Sequence, residues 1–428
     1  MNNLAFTDFT EYLKMLFGLQ DDHPGSFFSR TCIEPTYNWD NGSVKDFLYN
    51  DNRIVIRIHS LFHFIAFKSY FVHALFSCFL SFIGSFFIYK SVKAFFNRKE
   101  VPLIIVITLF PTLWLYTGGL LKEGLTLFFL GMMLWCIKNC VNDPKKISGY
   151  LMLPMLLFIS LLLKPYVLFY CAVVYSLFFI LEKRSLKFKS LWFLSSLIFI
   201  TLLVNFGALL MKDQGILQAA KKREKDFMDL STGGIFLMDS VKFVRVPYDT
   251  TLVKRVKNKK DHYTIKEKVT FTYWEHSHQK DTLYCPSNPD TSTIYSLVYI
   301  LPKAGSTVNV INGSSNFFII GLRSLYYTTL HPFFYNAKGI MQQFASLENL
   351  LLCICFLISI VGIFSKGADK FPGIVFLFYG LSLFILIGFT TPNSGAIMRY
   401  RAPGAVFILM SALYFFDKIK FVFREKFN

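Results

Sequence analysis

VPLIIVITLFPTLWLYTGGLLKEGLTLFFLGMMLWCIK, residues 101–138, decides the fold class. Two apolar runs, each close to the length of a bilayer crossing, flank Tyr116-Thr117-Gly118-Gly119 and then Lys122-Glu123. The glycines permit a tight reversal, and Trp114 and Tyr116 suit a membrane–water interface. A charged side chain at membrane depth costs roughly 2.5–3.5 kcal/mol on insertion scales. Such a residue pairs with another, snorkels to the interface or serves a site. The stretch reads as a membrane hairpin, and its tip is the first candidate working surface.

Composition agrees with the hairpin. The 428 residues are 54% hydrophobic and 17% charged and include 50 Phe, with a mean hydropathy of +0.44. These values exclude an ordinary soluble domain and predict an all-α polytopic membrane protein. The net charge of +18 sits largely on lysines in short loops between apolar runs. There it marks cytoplasmic loops rather than a nucleic-acid partner. The eight cysteines show no CxxC pair and no zinc-like histidine spacing, so no metal ligand set or cofactor is read from them. A divalent-metal requirement stays open. Cys136, Cys140, Cys171, Cys353 and Cys355 lie in or beside apolar runs and read as small hydrophobes. Cys32 and Cys285 fall in polar segments; a disulfide between them is conceivable, and sequence alone does not establish it.

Along the chain, the first 50 residues are polar and comparatively acidic, with Asp8, Glu11, Asp21, Asp22, Glu34, Asp40 and Asp46. Residues 54–67 (IVIRIHSLFHFIAF) are apolar but too short to span, and read as an amphipathic interfacial helix. Spans are expected at 70–89, 101–117, 122–138, 149–164, 166–182, 191–211, 349–366, 372–390 and 402–416, about nine in all. Every second connection is basic: Lys90, Lys93, Arg98 and Lys99; Lys138, Lys145 and Lys146; Lys183, Arg184, Lys187 and Lys189; Lys366 and Lys370; then the tail from Lys418. The positive-inside rule makes these cytoplasmic and the other connections extracytoplasmic. Residues 1–69 are then outside with no helix to carry them there; either the segment translocates unaided or a native first helix lies upstream, and the second is the favoured expectation.

The expected plan has four parts. Residues 1–69 form the extracytoplasmic N-terminal segment, and 70–211 a six-helix membrane module. Residues 212–348 form one large extracytoplasmic insertion, and 349–428 a three-helix module with a basic cytoplasmic tail. The insertion is itself basic, with KKREKD at 221–226 and VKRVKNKKDHYTIKEK at 253–268. Residues 240–246 and 269–274 carry a weak strand signal. The aromatic stretch 313–347 is expected along the membrane surface.

No P-loop, HExxH, GxSxG or dinucleotide fingerprint occurs. What the topology gathers at one membrane face is a set of polar groups. They are the N-terminal acids, Lys122-Glu123, Lys164-Pro165-Tyr166, Arg323, His331, Glu348 and Arg399-Tyr400-Arg401. Lysine and arginine at an interface suit a phosphate or pyrophosphate, and a nearby carboxylate suits a general base for a hydroxyl acceptor. Each residue also has a plain structural role open to it. Lys164 and Arg401 would snorkel, Lys122 and Glu123 would neutralise one another, and Glu348 would complement a helix N-terminus. The shared face, rather than any one residue, favours a site.

The order of segments resembles the helical module of the C-superfamily (GT-C) integral membrane glycosyltransferases, of the mannosyltransferase and aminoarabinose-transferase type. The resemblance covers about residues 70–182. It rests on FLSFIGSFFIYKSVKAFF (79–96), LFPTLWLYTGGLLKEGLTLFFLGMMLW (109–135) and MLLFISLLLKPYVLFYCAVV (155–174). Pro111, Lys122-Glu123 and Lys164-Pro165 stand at the positions of that family's hairpin and its Lys-Pro turn. TTPNSGAIMRYRAP (390–403) looks like an arginine-bearing loop of bacterial envelope proteins, also reminiscent of polysaccharide polymerases.

The resemblance implies transfer of a sugar from a polyprenyl-phosphate donor to an extracytoplasmic envelope glycan or lipid acceptor, at the bacterial inner membrane. The family's catalytic aspartate lies on the first external loop. This sequence departs from the family there: Asp21 and Asp22 are the candidates for the base and Asp8 is a further one, and none of them sits in a clear family motif. Lys122, Lys164, Arg399 and Arg401 would hold the lipid-linked phosphate, with Glu123 orienting a lysine or the acceptor. Arg323, His331, Glu348 and Tyr400 complete the candidate set. A polysaccharide polymerase or ligase, a transporter and a non-catalytic scaffold are the rival readings.

Overall fold

The computed structural model describes residues 2–17, 19, 51–67, 69–145, 147–210, 233–238, 242–246, 253–257, 261–266, 271–277, 280–287, 292–303, 307–308, 316–337, 339–365 and 369–427. Two compact units divide the chain. One joins Met1–Ile65 with Lys225–Thr307, and the other joins Ala66–Glu224 with Val308–Asn428.

In the first unit, helices α1 (Asn2–Thr7) and α2 (Phe9–Phe17) precede α3 (Asp51–Ala66). Asp8 lies between the first two and accepts the Glu11 N–H at 3.0 Å, satisfying an orphan donor in the first turn of α2. The buried face of α2 presents Tyr12 and Met15. The Tyr12 ring meets Phe64 edge-on at 5.7 Å, its hydroxyl lies 3.3 Å from Ser60 Oγ, and Arg57 Nε donates to the Met15 carbonyl at 3.2 Å. A helix was expected over 54–67 and is present; the two short helices before it were not anticipated.

The same unit carries a seven-stranded antiparallel sheet in the order β3-β4-β7-β1-β2-β5-β6. Its strands are β1 (Gly234–Met238), β2 (Lys242–Val246), β3 (Val253–Arg255), β4 (His262–Ile265), β5 (Phe271–Ser277), β6 (Lys280–Ser287) and β7 (Tyr295–Leu301). Ile235, Leu237, Val246, Val253, Ile265 and Tyr295 form its buried core. The chain is otherwise helical, as expected, and the sheet falls within the insertion, where the sequence carried only a weak strand signal. Only β2 and β5 coincide with stretches that carried a strand signal. β1, β3 and β4 are five residues or fewer, and β1 and β7 are apolar along most of their length rather than alternating, so period-2 patterning is faint within any one strand.

The second unit is helical. Its elements are α4 (Tyr70–Val92), α5 (Glu100–Thr108), α6 (Pro111–Thr117), α7 (Lys122–Asn142), α8 (Ile147–Leu163), α9 (Pro165–Lys183) and α10 (Lys189–Leu210). After the sheet come α11 (Phe317–Thr329), α12 (Ile340–Phe364), α13 (Phe371–Thr390) and α14 (Ser394–Phe427). Helices occupy all nine ranges expected to span. Among the described residues, five are long and apolar enough to cross a membrane, or six if the bent pair below is one span: Tyr70–Phe95, Lys122–Asn142, Tyr166–Lys183, Gln342–Phe364 and Phe371–Thr390. The range expected as one straight span at 101–117 is instead two helices, α5 and α6, bent by 52°. Pro111 is the cause: it pushes Phe110 into an extended conformation and opens a new helix as its first residue.

Close helix packing positions the rest. α4 runs along α7 with Ser77, Ser81, Gly84 and Ser85 buried. A Cβ built on Gly84 would meet the Leu127 carbonyl oxygen at 2.4 Å, so the two backbones touch where small residues permit it. Likewise a Cβ on Gly388 of α13 would lie 2.7 Å from Ser324 Cα of α11. Tyr379 joins α13 to its neighbours: its ring lies 5.3 Å from Tyr175 of α9 and 4.7 Å from Phe407 of α14. Its hydroxyl donates to the Val167 carbonyl at 3.1 Å. The boundary expected at 348 differs from the observed one. Residues 308–348 belong with the membrane helices, because α11 packs on α13 and the Val308 N–H donates to the Pro392 carbonyl at 2.9 Å.

Candidate functional site

Three chain breaks in the second unit turn charged residues inward. The first is Lys164. Proline at 165 forces the preceding residue out of helical geometry, and Lys164 takes φ −148°, ψ 80° between α8 and α9. The second is the start of α7, where Leu121 is extended and Glu123 falls in the first turn, the position a helix dipole favours for an anion. The third is the start of α14. Asn393 caps it by accepting the Ala396 N–H at 3.1 Å, which brings Arg399 and Tyr400 into its second turn and Arg401 to the start of its third. Both arginines are largely or wholly shielded from water, so they need carboxylates from elsewhere.

They find two. Arg399 and Arg401 are two positions apart on a helix of about 100° per residue, so they point to nearly opposite sides of it. Arg399 NH2 lies 2.8 Å from Glu123 Oε2, and Lys164 Nζ donates to Glu123 Oε1 at 2.8 Å. Glu123 is 1% exposed and Lys164 4%, whereas Arg399 is 25% exposed. The Lys164 ammonium also stands 4.2 Å from the centre of the Tyr400 ring, within cation–π range. This cluster sets two cations against one carboxylate. It is incompletely satisfied: Glu123 Oε2 and Arg399 Nε are buried without an aligned hydrogen-bond partner.

Arg401, fully buried, turns the other way. Its NH2 donates to Glu348 Oε1 at 3.3 Å, and its NH1 donates to the Thr328 carbonyl at the end of α11. Glu348 in turn accepts the Thr112 N–H through Oε2 at 3.0 Å and the Thr112 hydroxyl. Thr112 is the second residue of α6, so a carboxylate from α12 satisfies one of the donors that a helix N-terminus leaves open. Beside it, Asn349 Nδ2 donates to the Pro332 carbonyl at 2.9 Å. This second cluster binds α6, α11, α12 and α14 together.

The candidates therefore separate. Lys164, Glu123, Arg399 and Tyr400 come together, and Glu348 and Arg401 form a second pair. Glu348 lies in the third turn of α12, not at the N-terminus expected for it, because that helix begins at Ile340. Lys122 opens α7, and Arg323 lies half-buried on α11. His331 is half-buried in the loop after α11, its ring 5.7 Å from Tyr327, and burial pushes its pKa below the ordinary histidine value. Asp8 is the cap of α2 described above. Asp21, Asp22 and Cys32 lie outside the described residues. Among the described residues, no three His, Cys, Asp or Glu side chains gather as metal ligands. Thr112, Thr328 and Asn349 were missed by the sequence reading. The only local signal was Thr112 directly after the helix-opening Pro111.

Both carboxylates are committed to cations and closed to solvent, which suits counter-ions better than a proton acceptor. The part of the first cluster that reaches solvent is Arg399, a forked donor fit for a phosphate oxygen pair. No family model, no curated protein and no solved structure matches this chain. Its function is read from its own residues.

Proposed function

We propose that this chain is a membrane glycosyltransferase that moves a sugar from a polyprenyl-phosphate donor to an extracytoplasmic envelope glycan or lipid acceptor. In this reading α4, the bent pair α5–α6, α7, α8, α9, α10, α12, α13 and α14 make nine spans of a bacterial inner-membrane protein. The alternation of basic connections supports an extracytoplasmic N-terminus and insertion, and a cytoplasmic C-terminus. The observation that carries the functional reading is the Lys164–Glu123–Arg399 cluster with Tyr400, assembled at three helix starts.

The chemistry asked of that cluster is charge stabilisation on a departing phosphate. The acceptor hydroxyl attacks the anomeric carbon while the bond from that carbon to the phosphate oxygen breaks. The bonding pair leaves with the polyprenyl phosphate, and the hydroxyl proton passes to a base. Arg399 meets the leaving phosphate as its charge grows, and Lys164 adds a second cation behind it. Glu123 is a positioning residue that holds both cations in register when no phosphate is bound. The proton goes to a base outside this cluster, a role the family resemblance would give to Asp21 or Asp22.

The test uses membranes containing this chain and a panel of labelled polyprenyl-phosphate sugars. Label should pass to lipid or glycan product, and Arg399→Ala should abolish it while membrane levels stay unchanged. Retained transfer in that variant removes Arg399 from the site. Extension of a preformed chain by the purified protein would replace this reading with a polymerase. Substrate uptake into proteoliposomes without covalent product would replace it with a transporter.

A further inference from the structure

At the far ends of α7 and α9 from Glu123 and Lys164, the helices enclose an open pocket of about 470 Å³. Its walls are the last turn of α7 (Cys140, Val141), Pro144 in the following turn, Tyr150 on α8, and Ile180, Lys183 and Arg184 at the end of α9. That volume lies in the range of small-molecule sites. The lining combines two cations with apolar side chains, and among the described residues no carboxylate lines it. Glu182, the nearest acid on α9, faces a different partner, since Lys189 Nζ lies 3.4 Å from its Oε2. Asp143 is adjacent in the chain and exposed, and it does not line the pocket. The two cations differ. Lys183 donates to the Val141 carbonyl, as a cation at a helix C-terminus does. Arg184 is exposed, and its guanidinium has no ion-pair partner among the described residues.

We infer that this pocket is a binding site for an anionic phospholipid. The Arg184 guanidinium takes the phosphodiester with Lys183 beside it. Ile180, Pro144 and Tyr150 take the glycerol backbone and the first methylenes. The chemistry fits on three counts. A forked guanidinium matches paired phosphate oxygens. A basic pocket between spans on a cytoplasmic face is where anionic head groups concentrate. The half-exposed Ile180 side chain continues the apolar outer surface of α9 down to the pocket. The inference needs the membrane placement of α7 and α9 and is independent of any transfer activity.

The experiment is native mass spectrometry of the whole chain in mild detergent, titrated with phosphatidylglycerol, phosphatidylcholine or inorganic phosphate. Phosphatidylglycerol should be retained and phosphatidylcholine should not. Lys183→Gln with Arg184→Gln should weaken retention about tenfold or more, each surface cation being worth on the order of a few-fold. The charge-matched pair Lys90→Gln with Lys187→Gln, outside the pocket, should leave retention near the parent level. Ile180→Trp keeps every charge and fills the pocket; it should also lose the lipid, which covers the case in which the double charge variant fails to fold. Equal loss in both charge pairs would overturn the inference in favour of general surface attraction. So would equal retention of phosphatidylcholine, unchanged binding in Ile180→Trp, or displacement of the lipid by an equal concentration of inorganic phosphate.

Discussion

The two charged clusters at α14 differ in one respect, access, and that difference assigns their roles. Around Arg401 every participant is sealed. Glu348 and Arg401 are buried, and their bonds run to Thr112 and Thr328 on two further helices. Around Arg399 the carboxylate is equally buried, but the cation is one quarter exposed; the Nε of both arginines lacks an aligned partner, so exposure alone separates the two. A sealed pair joins helices; a pair with one open member can exchange its carboxylate for another anion. Buried ion pairs contribute little net stability while intact and cost a great deal when half of one is removed.

That asymmetry can be broken by substitution. Glu348→Ala should be the most damaging change, because it leaves Arg401 buried without a counter-ion and the Thr112 N–H without an acceptor. A loss of about 3–5 kcal/mol is expected, read as a collapse of the thermal unfolding temperature in detergent. Glu348→Leu with Arg401→Met should recover much of it. If the double variant is no better than the single, the penalty is not one of an orphaned charge.

Arg399→Ala should show the opposite profile. Stability should change by no more than about 1 kcal/mol, as for a partly exposed ion pair, while transfer falls by on the order of 10²–10³, the usual cost of losing one preorganised donor to a developing anion. Equal damage to folding from Arg399→Ala and Glu348→Ala would erase the distinction between the clusters.

Further from the charges, Gly84→Val should cost about 1–3 kcal/mol, since its added carbons meet the α7 backbone rather than a movable side chain. Glu123 lies in the first turn of that same helix, so any displacement should also weaken the Arg399 cluster. Measuring unfolding and transfer together shows whether the two losses travel together.

The smallest effect concerns pH. His331 is held below its ordinary value of 6.5 by burial. The folded state therefore keeps it neutral where the unfolded chain already binds a proton. Its contribution is present above about pH 6.5 and is lost as pH falls through that value. His331→Gln should flatten the acid side of the stability profile between pH 7 and roughly pH 5. An unchanged slope would mean that other groups govern it.

Much of the architecture was legible in the sequence because long apolar runs report on the solvent directly. The hairpin at 101–138 and the later runs all correspond to helices, with boundaries within a few residues except at the start of α12 and at both ends of α14, which runs Ser394–Phe427 against an expected 402–416. Helix α12 begins earlier because residues 340–348 are polar enough to resemble loop and yet pack against α14. The sheet was nearly illegible. Strands such as Val253–Arg255 and His262–Ile265 are too short to declare a buried face. Their core forms only when Val253 and Ile265 join Ile235, Leu237 and Tyr295 from distant segments.

The candidate site was legible as a set of residues and illegible as a set of pairs. Lys164, Glu123, Arg399, Glu348 and Arg401 stand out because charge at membrane depth is costly and calls for a reason. Which carboxylate serves which cation is another matter. Glu123 and Lys164 are 41 residues apart, and Glu348 and Thr112 are 236 apart. No local rule joins them.

The sequence by itself determined that this chain is rich in membrane-length helices, where prolines 111 and 165 interrupt them, and which charges must be accounted for. Apolar periodicity and proline geometry act within a few residues and need no fold to be read. The tertiary structure alone decided that the two arginines of Arg399-Tyr400-Arg401 face opposite ways, one sealed and one open. That outcome depends on which helices flank α14, and burial and pairing are properties of neighbours brought together from across the chain.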